Sequence, residues 1–285
     1  MPSELSQIAP AKLNLALHVR RRRDDGYHDL ETLFCFLGHG DRLTVQAADA
    51  LSFEIIGPFA NELAVDEDNL VLRAARLLAK HAGCAGKAHI VLEKNLPIAS
   101  GIGGGSADAA AALRLLNRLW GLDWSLERLA KLGLALGADV PVCVYSRYCE
   151  AQGVGDVITF SAPILPDNTP ILLVNPKQAV STPAIFKGWD GIDKGALPEA
   201  RSLTALQQEM RNDLTPSAVA ICPEIAGILD ALGDTDAELV RMSGSGATCF
   251  AVYADRATRD AAQRFLEARF PDYWTLASHT LNYDF

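Results

Sequence analysis

Apolar positions along the chain follow two rhythms, one near period two and one near 3.6, and the two interleave from end to end. Residues 12–19 alternate imperfectly and predict a strand, and Gly26 marks a turn after the charged stretch 20–25. Residues 32–37, 41–46 and 51–56 predict further strands of the same sheet, and 88–93 another. Asp68 and Asn69 are suited to capping a helix whose apolar face carries Leu70, Leu72, Ala75, Leu77 and Leu78. An alanine-rich helix is predicted over 107–120 and stopped by Gly121. Ser125 caps the next, with Glu127 in its first turn and an end near Gly137. Residues 140–145 read as a strand, and proline-rich 161–170 as a linker. Beyond it, strands are predicted at 171–175, 238–242 and 248–253. Helices are predicted at 213–221, at 224–232 behind Pro223, and at 257–268. Short turns between neighbouring strands favour an α+β fold over a strictly alternating parallel one. The linker divides the chain into domains 1–160 and 161–285.

One segment breaks both rhythms. Between the strand at 88–93 and the alanine-rich helix stands Pro97-Ile98-Ala99-Ser100-Gly101-Ile102-Gly103-Gly104-Gly105-Ser106, with four glycines in the five positions from 101 to 105. Without side chains, backbone N–H groups approach a ligand closely, and the helix that follows adds unpaired amides and a positive dipole end. The combination is an anion site, and phosphate is its usual occupant. Ser100 and Ser106 offer hydroxyls to phosphate oxygens or to Mg2+. The segment is not a Walker loop, since no lysine separates Gly105 from Ser106. Nor is it a dinucleotide fingerprint, which needs a glycine where Ser106 stands.

Composition narrows the setting. A net charge of −9 argues against wrapping a nucleic-acid backbone. The six cysteines form no zinc-type spacing and suit reduced thiols in a cytoplasmic protein. No stretch of about 20 apolar residues is long enough to cross a bilayer, and no signal-peptide pattern opens the sequence. Read locally, Asp139 between Gly137 and Pro141 is either a turn aspartate or a reactive carboxylate. Lys12 in the first strand is either a snorkelling surface residue or a buried ammonium with a partner. The run Arg20 to Arg23 is either a solvated hairpin tip or an attractor of anionic ligands.

The glycine-rich segment resembles the phosphate motif of the GHMP kinase superfamily, Pro-x-x-x-Gly-Leu-Gly-Gly-Gly-Ser-Ser-x-Ala, with Ile102 for leucine and Ala107 for the second serine. Pro10-Ala11-Lys12-Leu13-Asn14-Leu15 is similar to the first family motif and Ser243-Gly244-Ser245-Gly246-Ala247 to the third, in family order. Asp25-Gly26-Tyr27-His28, Leu136-Gly137-Ala138-Asp139-Val140-Pro141 and Thr182-Pro183-Ala184-Ile185-Phe186 extend the likeness to a branch acting on a cytidine-diphosphate-linked polyol.

The resemblance implies a two-domain GHMP kinase fold with its active site in the inter-domain cleft. ATP is the implied phosphoryl donor, Mg2+ accompanies it, and the acceptor is an alcohol. Lys12 and Asp139 are the implied catalytic pair. Pro97, Ser100, Gly101, Gly103, Gly104, Gly105 and Ser106 are the implied ATP site. Asn14, Tyr27, His28, Thr182 and Phe186 are the implied site for the cytidine substrate. Adenine walls are expected in the segment between Glu62 and Arg73 and in the strand before Pro97. No metal ligands are fixed, and no nucleic-acid or membrane partner is expected. The chain is taken as a monomer or homodimer. The competing readings are a kinase of the homoserine or mevalonate type, and a nucleotide-binding protein without turnover.

Overall fold

The computed structural model describes residues 4–63, 66, 68–199 and 201–285. Its frame is a long antiparallel hairpin, β1 (Glu4–Arg22) and β2 (His28–Gln46), joined across the Gly26 turn, where φ is +87°. The expected strands at 32–37 and 41–46 are one strand. Gly38 and Gly40 do not end it, because they mark close crossings. A Cβ on Gly38 would lie 2.3 Å from the His279 ring, and one on Gly40 2.0 Å from the Ala9 carbonyl oxygen.

The free edge of β2 is divided. Its C-terminal half pairs with β4 (Ala88–Glu93), which also carries β3 (Leu51–Ile56) in parallel. Its N-terminal half pairs with β5 (Cys149–Gly153), followed by β6 (Val157–Thr159). Between them the chain's last segment enters, with Leu281 N–H donating to the Phe36 carbonyl at 2.9 Å.

Helices cover one face of this sheet. In α1 (Leu70–Ala82) the Asn69 side chain accepts from Val71 N, and Gly83 closes the helix in the left-handed region. The central α2 (Gly104–Leu119) is buried on nearly every side from Ala107 onward, which accounts for its run of alanines. It begins three residues before the expected start, so the last glycines belong to its first turn. Helix α3 (Leu126–Gly133) is capped by Ser125. Residues 140–145, expected as a strand, form α4 (Val140–Tyr145). A short apolar run suits a buried helix as well as a buried strand, and Pro141 stands in its first turn.

A second, wholly antiparallel sheet runs β10-β7-β9-β8, from β7 (Pro170–Asn175), β8 (Leu239–Met242), β9 (Cys249–Val252) and β10 (Trp274–His279). Every residue of β7 is buried, and its side chains alternate between two cores. Leu172 and Val174 face helices α7 (Thr215–Ile221), α8 (Glu224–Gly233) and α9 (Arg256–Arg269). Ile171 and Leu173 face Leu13, Leu15 and Leu33 of the long hairpin, and this same core holds Leu96 and Ile102 of the glycine-rich turn. Two short helices, α5 (Thr182–Lys187) and α6 (Leu203–Gln208), complete the second half. No described helix is long and apolar enough to cross a membrane.

Candidate active site

The glycine-rich turn lies where both sheets and α2 meet, held by backbone contacts. Lys12 N–H donates to the Ile102 carbonyl at 2.9 Å and Thr248 N–H to the Ser100 carbonyl at 3.1 Å. Ser243 Oγ donates to the Gly101 carbonyl at 3.0 Å and accepts from Asn14 N–H at 3.1 Å, so one hydroxyl ties together all three glycine and strand motifs. Gly101 has φ +77°, and a Cβ on it would sit 2.5 Å from the Ser243 carbonyl oxygen and 2.6 Å from that of Gly246. Its glycine character serves this packing. Gly103 is the N-cap of α2, left-handed at φ 68°, with no side chain to cap it. The amides of Gly104, Gly105 and Ser106 are therefore first-turn donors without an intrahelical acceptor. Ser106 Oγ has no partner among the described residues. Ser100 differs from expectation: its hydroxyl is buried and donates to the Pro97 carbonyl at 2.7 Å, shaping the turn from inside.

Lys12 passes beneath Gly103, whose added Cβ would lie 3.0 Å from Lys12 Cε. Its ammonium, 3 % exposed, donates to Asn14 Oδ1 at 2.8 Å and pairs with Asp139 Oδ2 at 3.1 Å. Asp139 is 39 % exposed and stands at the N-terminus of α4 without capping it, so its carboxylate is not committed to its own helix. The opposite end of α4 is fixed by Arg114 of α2, whose Nη1 donates to the Cys143 and Val144 carbonyls at 2.6 and 3.0 Å. Asn14 donates to Thr32 Oγ1 at 2.8 Å, and its amide orients Lys12. The structure thus brings together Lys12, Asn14, Asp139 and the turn.

The residues expected around the cytidine substrate are only partly assembled. The His28 ring leans on Phe186, centroids 5.1 Å apart, and meets Trp189 edge-on at 5.7 Å. Burial, and then the Arg22 charge, hold the His28 imidazole below its ordinary pKa. Thr182 shares a 2.8 Å hydrogen bond with Ser245 of the third motif. Tyr27 is 65 % exposed at the hairpin tip, and its ring joins no described aromatic contact. The arginine run is largely neutralised: Arg20 pairs with Glu31 and Asp193, Arg21 with Asp29, and Arg23 with Asp25 and Asp29.

A cavity of about 240 Å³ opens beside α2, lined by Leu63, Asn69, Leu70, Leu92, Gly105 and Asp108. It lies in the stretch expected to wall adenine, of which residues 64, 65 and 67 are outside the described ones. Sequence reasoning missed Trp189, and it missed a buried group under the turn: Lys94 Nζ bonded to Asp41 Oδ2 and to Asp108 Oδ2. The available signal for that group was a single aspartate interrupting the run of alanines in the first half of the helix.

All six cysteines are free thiols. Among the described residues no cluster of His, Cys, Asp and Glu has the makings of a metal site. Ser106 Oγ, open at the first turn of α2, fits an ion that arrives already held by a nucleotide's phosphates.

Residues 69–147 match the GHMP kinases N terminal domain, and residues 193–272 the GHMP kinases C terminal family. Fold and site together define a GHMP kinase, an ATP-dependent small-molecule kinase. The chain is 48 % identical over 276 residues to 4-diphosphocytidyl-2-C-methyl-D-erythritol kinase of Rhizorhabdus wittichii, covering 96 % of this chain and 94 % of that one. Against the enzyme of that name from Rhizobium etli it is 47 % identical, covering 98 % and 95 %. A crystal structure of 4-(cytidine 5'-diphospho)-2C-methyl-D-erythritol kinase aligns with TM-score 0.83 at 33 % identity, covering 98 % of this chain and 100 % of that one. Homoserine kinase from Cytophaga hutchinsonii, at 18 % identity and TM-score 0.76 over 99 % and 96 % of the two chains, shares the fold. Within the GHMP kinases, the chain belongs to the 4-diphosphocytidyl-2-C-methyl-D-erythritol kinase family.

Proposed function

We propose that this chain transfers the γ-phosphoryl group of ATP to the tertiary C2 hydroxyl of 4-diphosphocytidyl-2-C-methyl-D-erythritol, in non-mevalonate isoprenoid precursor synthesis. The observation that carries the reading is the position of the Lys12–Asp139 pair directly under the turn whose end amides lack partners. The amides of Gly104, Gly105 and Ser106 hold the polyphosphate at the positive end of α2. Pro97, Ser100, Gly101 and Gly103 give the turn its shape. Adenine occupies the cavity bounded by Leu63, Leu70 and Leu92. Ser106 would be the protein contact for a Mg2+ ion carried by the nucleotide, and the ion would supply neutralisation of phosphate charge.

The acceptor hydroxyl lies against the exposed face of Asp139. Its oxygen attacks the γ-phosphorus as its proton passes to the carboxylate. The new O–P bond forms, the bond to the β-phosphate oxygen breaks, and ADP leaves. The Lys12 ammonium, kept in place by Asn14, orients Asp139 and stabilises the charge developing on the acceptor oxygen. Orientation and fixed charge supply most of the acceleration, as in phosphoryl transfer generally. His28, Phe186 and Thr182 receive the cytidine end, and Tyr27 closes over it from the hairpin tip. Residues 1–160 and 161–285 act as the two domains, with the site at their junction. The free thiols support a reducing, cytoplasmic setting.

The test is ADP release with the cytidine-diphosphate polyol, homoserine and mevalonate offered in turn. Turnover confined to the first is expected. Equal turnover of the simple alcohols, or none with any acceptor, would refute the reading.

A further inference from the structure

Beneath the glycine-rich turn, three ionisable side chains are withdrawn from water: Asp41 of β2 is fully buried, and Lys94 and Asp108 are each 2 % exposed. Removing such a group from solvent opposes stability unless its geometry is well matched, so its arrangement calls for another account. Asp41 Oδ1 accepts the N–H groups of Asn95 and Leu96 at 2.6 and 2.8 Å, fixing the residues that enter the turn. Asp41 Oδ2 takes Lys94 Nζ, and the same ammonium donates to Asp108 Oδ2 at 2.8 Å, one helical turn beyond Gly104. Lys94 Nζ lies directly under the start of α2, 3.0 Å from where a Cβ on Gly104 would stand. Asp108 Oδ1 has no partner among the described residues, so its carboxyl is tied to the group through Lys94. Burial disfavours the charge on Lys94, yet the two carboxylates outweigh it and raise its pKa. Burial, reinforced by the Asp41 charge and opposed by Lys94, raises that of Asp108.

We propose that Asp41, Lys94 and Asp108 form an internal clamp that joins the entry and exit of the glycine-rich turn, and so aims its unpaired amides at the donor polyphosphate. They are positioning residues and touch no reacting atom. The inference rests on the reading that this turn holds ATP phosphates. Preorganised amides favour phosphate because they need no rearrangement on binding. If the clamp is lost, the turn keeps its residues but not their common direction.

The experiment is calorimetric binding of adenosine 5'-(β,γ-imido)triphosphate and of adenosine to the full chain, wild type and two variants. Asp41→Asn leaves an acceptor for the two amides and turns its other atom into a donor facing the Lys94 ammonium. Its affinity for the triphosphate should fall about tenfold or more, the scale of a charged hydrogen bond, while adenosine binds as before. KM for ATP should rise in parallel, with KM for the cytidine substrate unchanged. Asp108→Asn should lower the ratio of triphosphate to adenosine affinity by about threefold to tenfold, the ratio being the readout because Asp108 also lines the cavity, and the effect is smaller since Asp41 still holds Lys94 and the entry amides. It carries the test should the first variant fail to fold. Triphosphate affinity at the wild-type level in a folded variant overturns the clamp. So does an equal weakening of adenosine, which would reveal a role in the cavity as a whole. A wild-type chain that binds the triphosphate no better than adenosine would instead overturn the phosphate reading of the turn.

Discussion

Replacing Lys12 with methionine separates a reacting lysine from a packing one. The stem of Lys12 fills space beneath Gly103 and beside Phe34, whose ring centroid is 5.2 Å from Nζ, and methionine keeps most of that volume. The backbone bond to Ile102 is untouched. The variant loses two polar links, to Asn14 Oδ1 and to Asp139 Oδ2. With 39 % of its side chain in solvent, the Asp139 carboxylate regains water when the ammonium goes. The ion pair therefore contributes no more than about 1 kcal/mol to stability, the buried Asn14 Oδ1 left without its donor costs about 1–3 kcal/mol more, and Tm should fall by about 10 °C or less. Catalysis should respond differently. Removing one preorganised donor from a developing oxyanion costs about 2.7–4 kcal/mol, a loss of about 10²–10³ in kcat. The assay couples ADP release to a chromogenic reporter at saturating concentrations of both substrates, alongside a thermal melt. A kcat within about tenfold of wild type would contradict the reasoning. So would an activity loss matched by a collapse of Tm, the signature of a structural lysine.

Asp139→Asn should lower kcat by about 10²–10⁴, with triphosphate affinity unchanged in a titration; a matching loss of affinity would place Asp139 on the phosphates. Phe186→Ala should raise KM for the cytidine substrate by the equivalent of about 1–3 kcal/mol and leave KM for ATP alone, and equal effects on both would remove the ring from base binding. Gly101→Ala forces a methyl onto two backbone carbonyls, so Tm should drop sharply, by the equivalent of about 1–3 kcal/mol or more, and a wild-type melt would count against the interlocked motifs. His18 is buried, and burial first, then Arg211, hold its pKa below 6.5, so on acidification the unfolded chain takes up the proton before the folded one does. That contribution to stability is complete above about pH 6.5 and is lost as pH falls through the folded value, so His18→Gln should flatten the Tm profile below that pH, and an unaltered profile would exclude the histidine.

What could be read from the sequence was whatever declares itself locally. Four closely spaced glycines ahead of an alanine-rich helix announce a bare turn opening onto a helix start, and Asn69 and Ser125 each cap the helix that follows them. Residues 140–145 misled because five consecutive apolar side chains carry no phase; the choice of helix came from packing against α2 and α3, which no local pattern records. The start of α2 was placed too late because glycine has the weakest helix preference after proline, and here the turn's tethers to Ser243 and Thr248 outweigh it. Strands β5 and β6 and the short helices α5 and α6 fall below the length at which periodicity speaks, and β10 borrows its order from β7. The site divides along the same line. Lys12, Asp139 and the glycines belong to recognisable stretches, whereas Asp41, Lys94 and Asp108 stand 53 and 14 residues apart and meet only in the folded chain.

On the proposed reading, the turn's surroundings explain why backbone rather than lysine would hold the phosphates. A lysine free to swing would be the simplest anion ligand, yet both buried lysines here are already engaged. Lys12 is divided between Asn14 and Asp139, and Lys94 between Asp41 and Asp108. Ser100 and Ser243 direct their hydroxyls at carbonyls of the turn itself. The donors left over are those a helix start cannot satisfy: the amides of Gly104, Gly105 and Ser106. A mobile cation would follow the phosphate as charge shifts from acceptor to leaving group, whereas amides fixed to a helix cannot move with it. On that reading the γ-phosphorus would be confined relative to Asp139, and the accuracy of transfer would rest on the rigidity of the seam between the two sheets. Leu96 and Ile102 anchor the turn in the same core as Leu13, Leu173 and Phe250, so the packing that joins the two halves is also what holds the reacting groups in register.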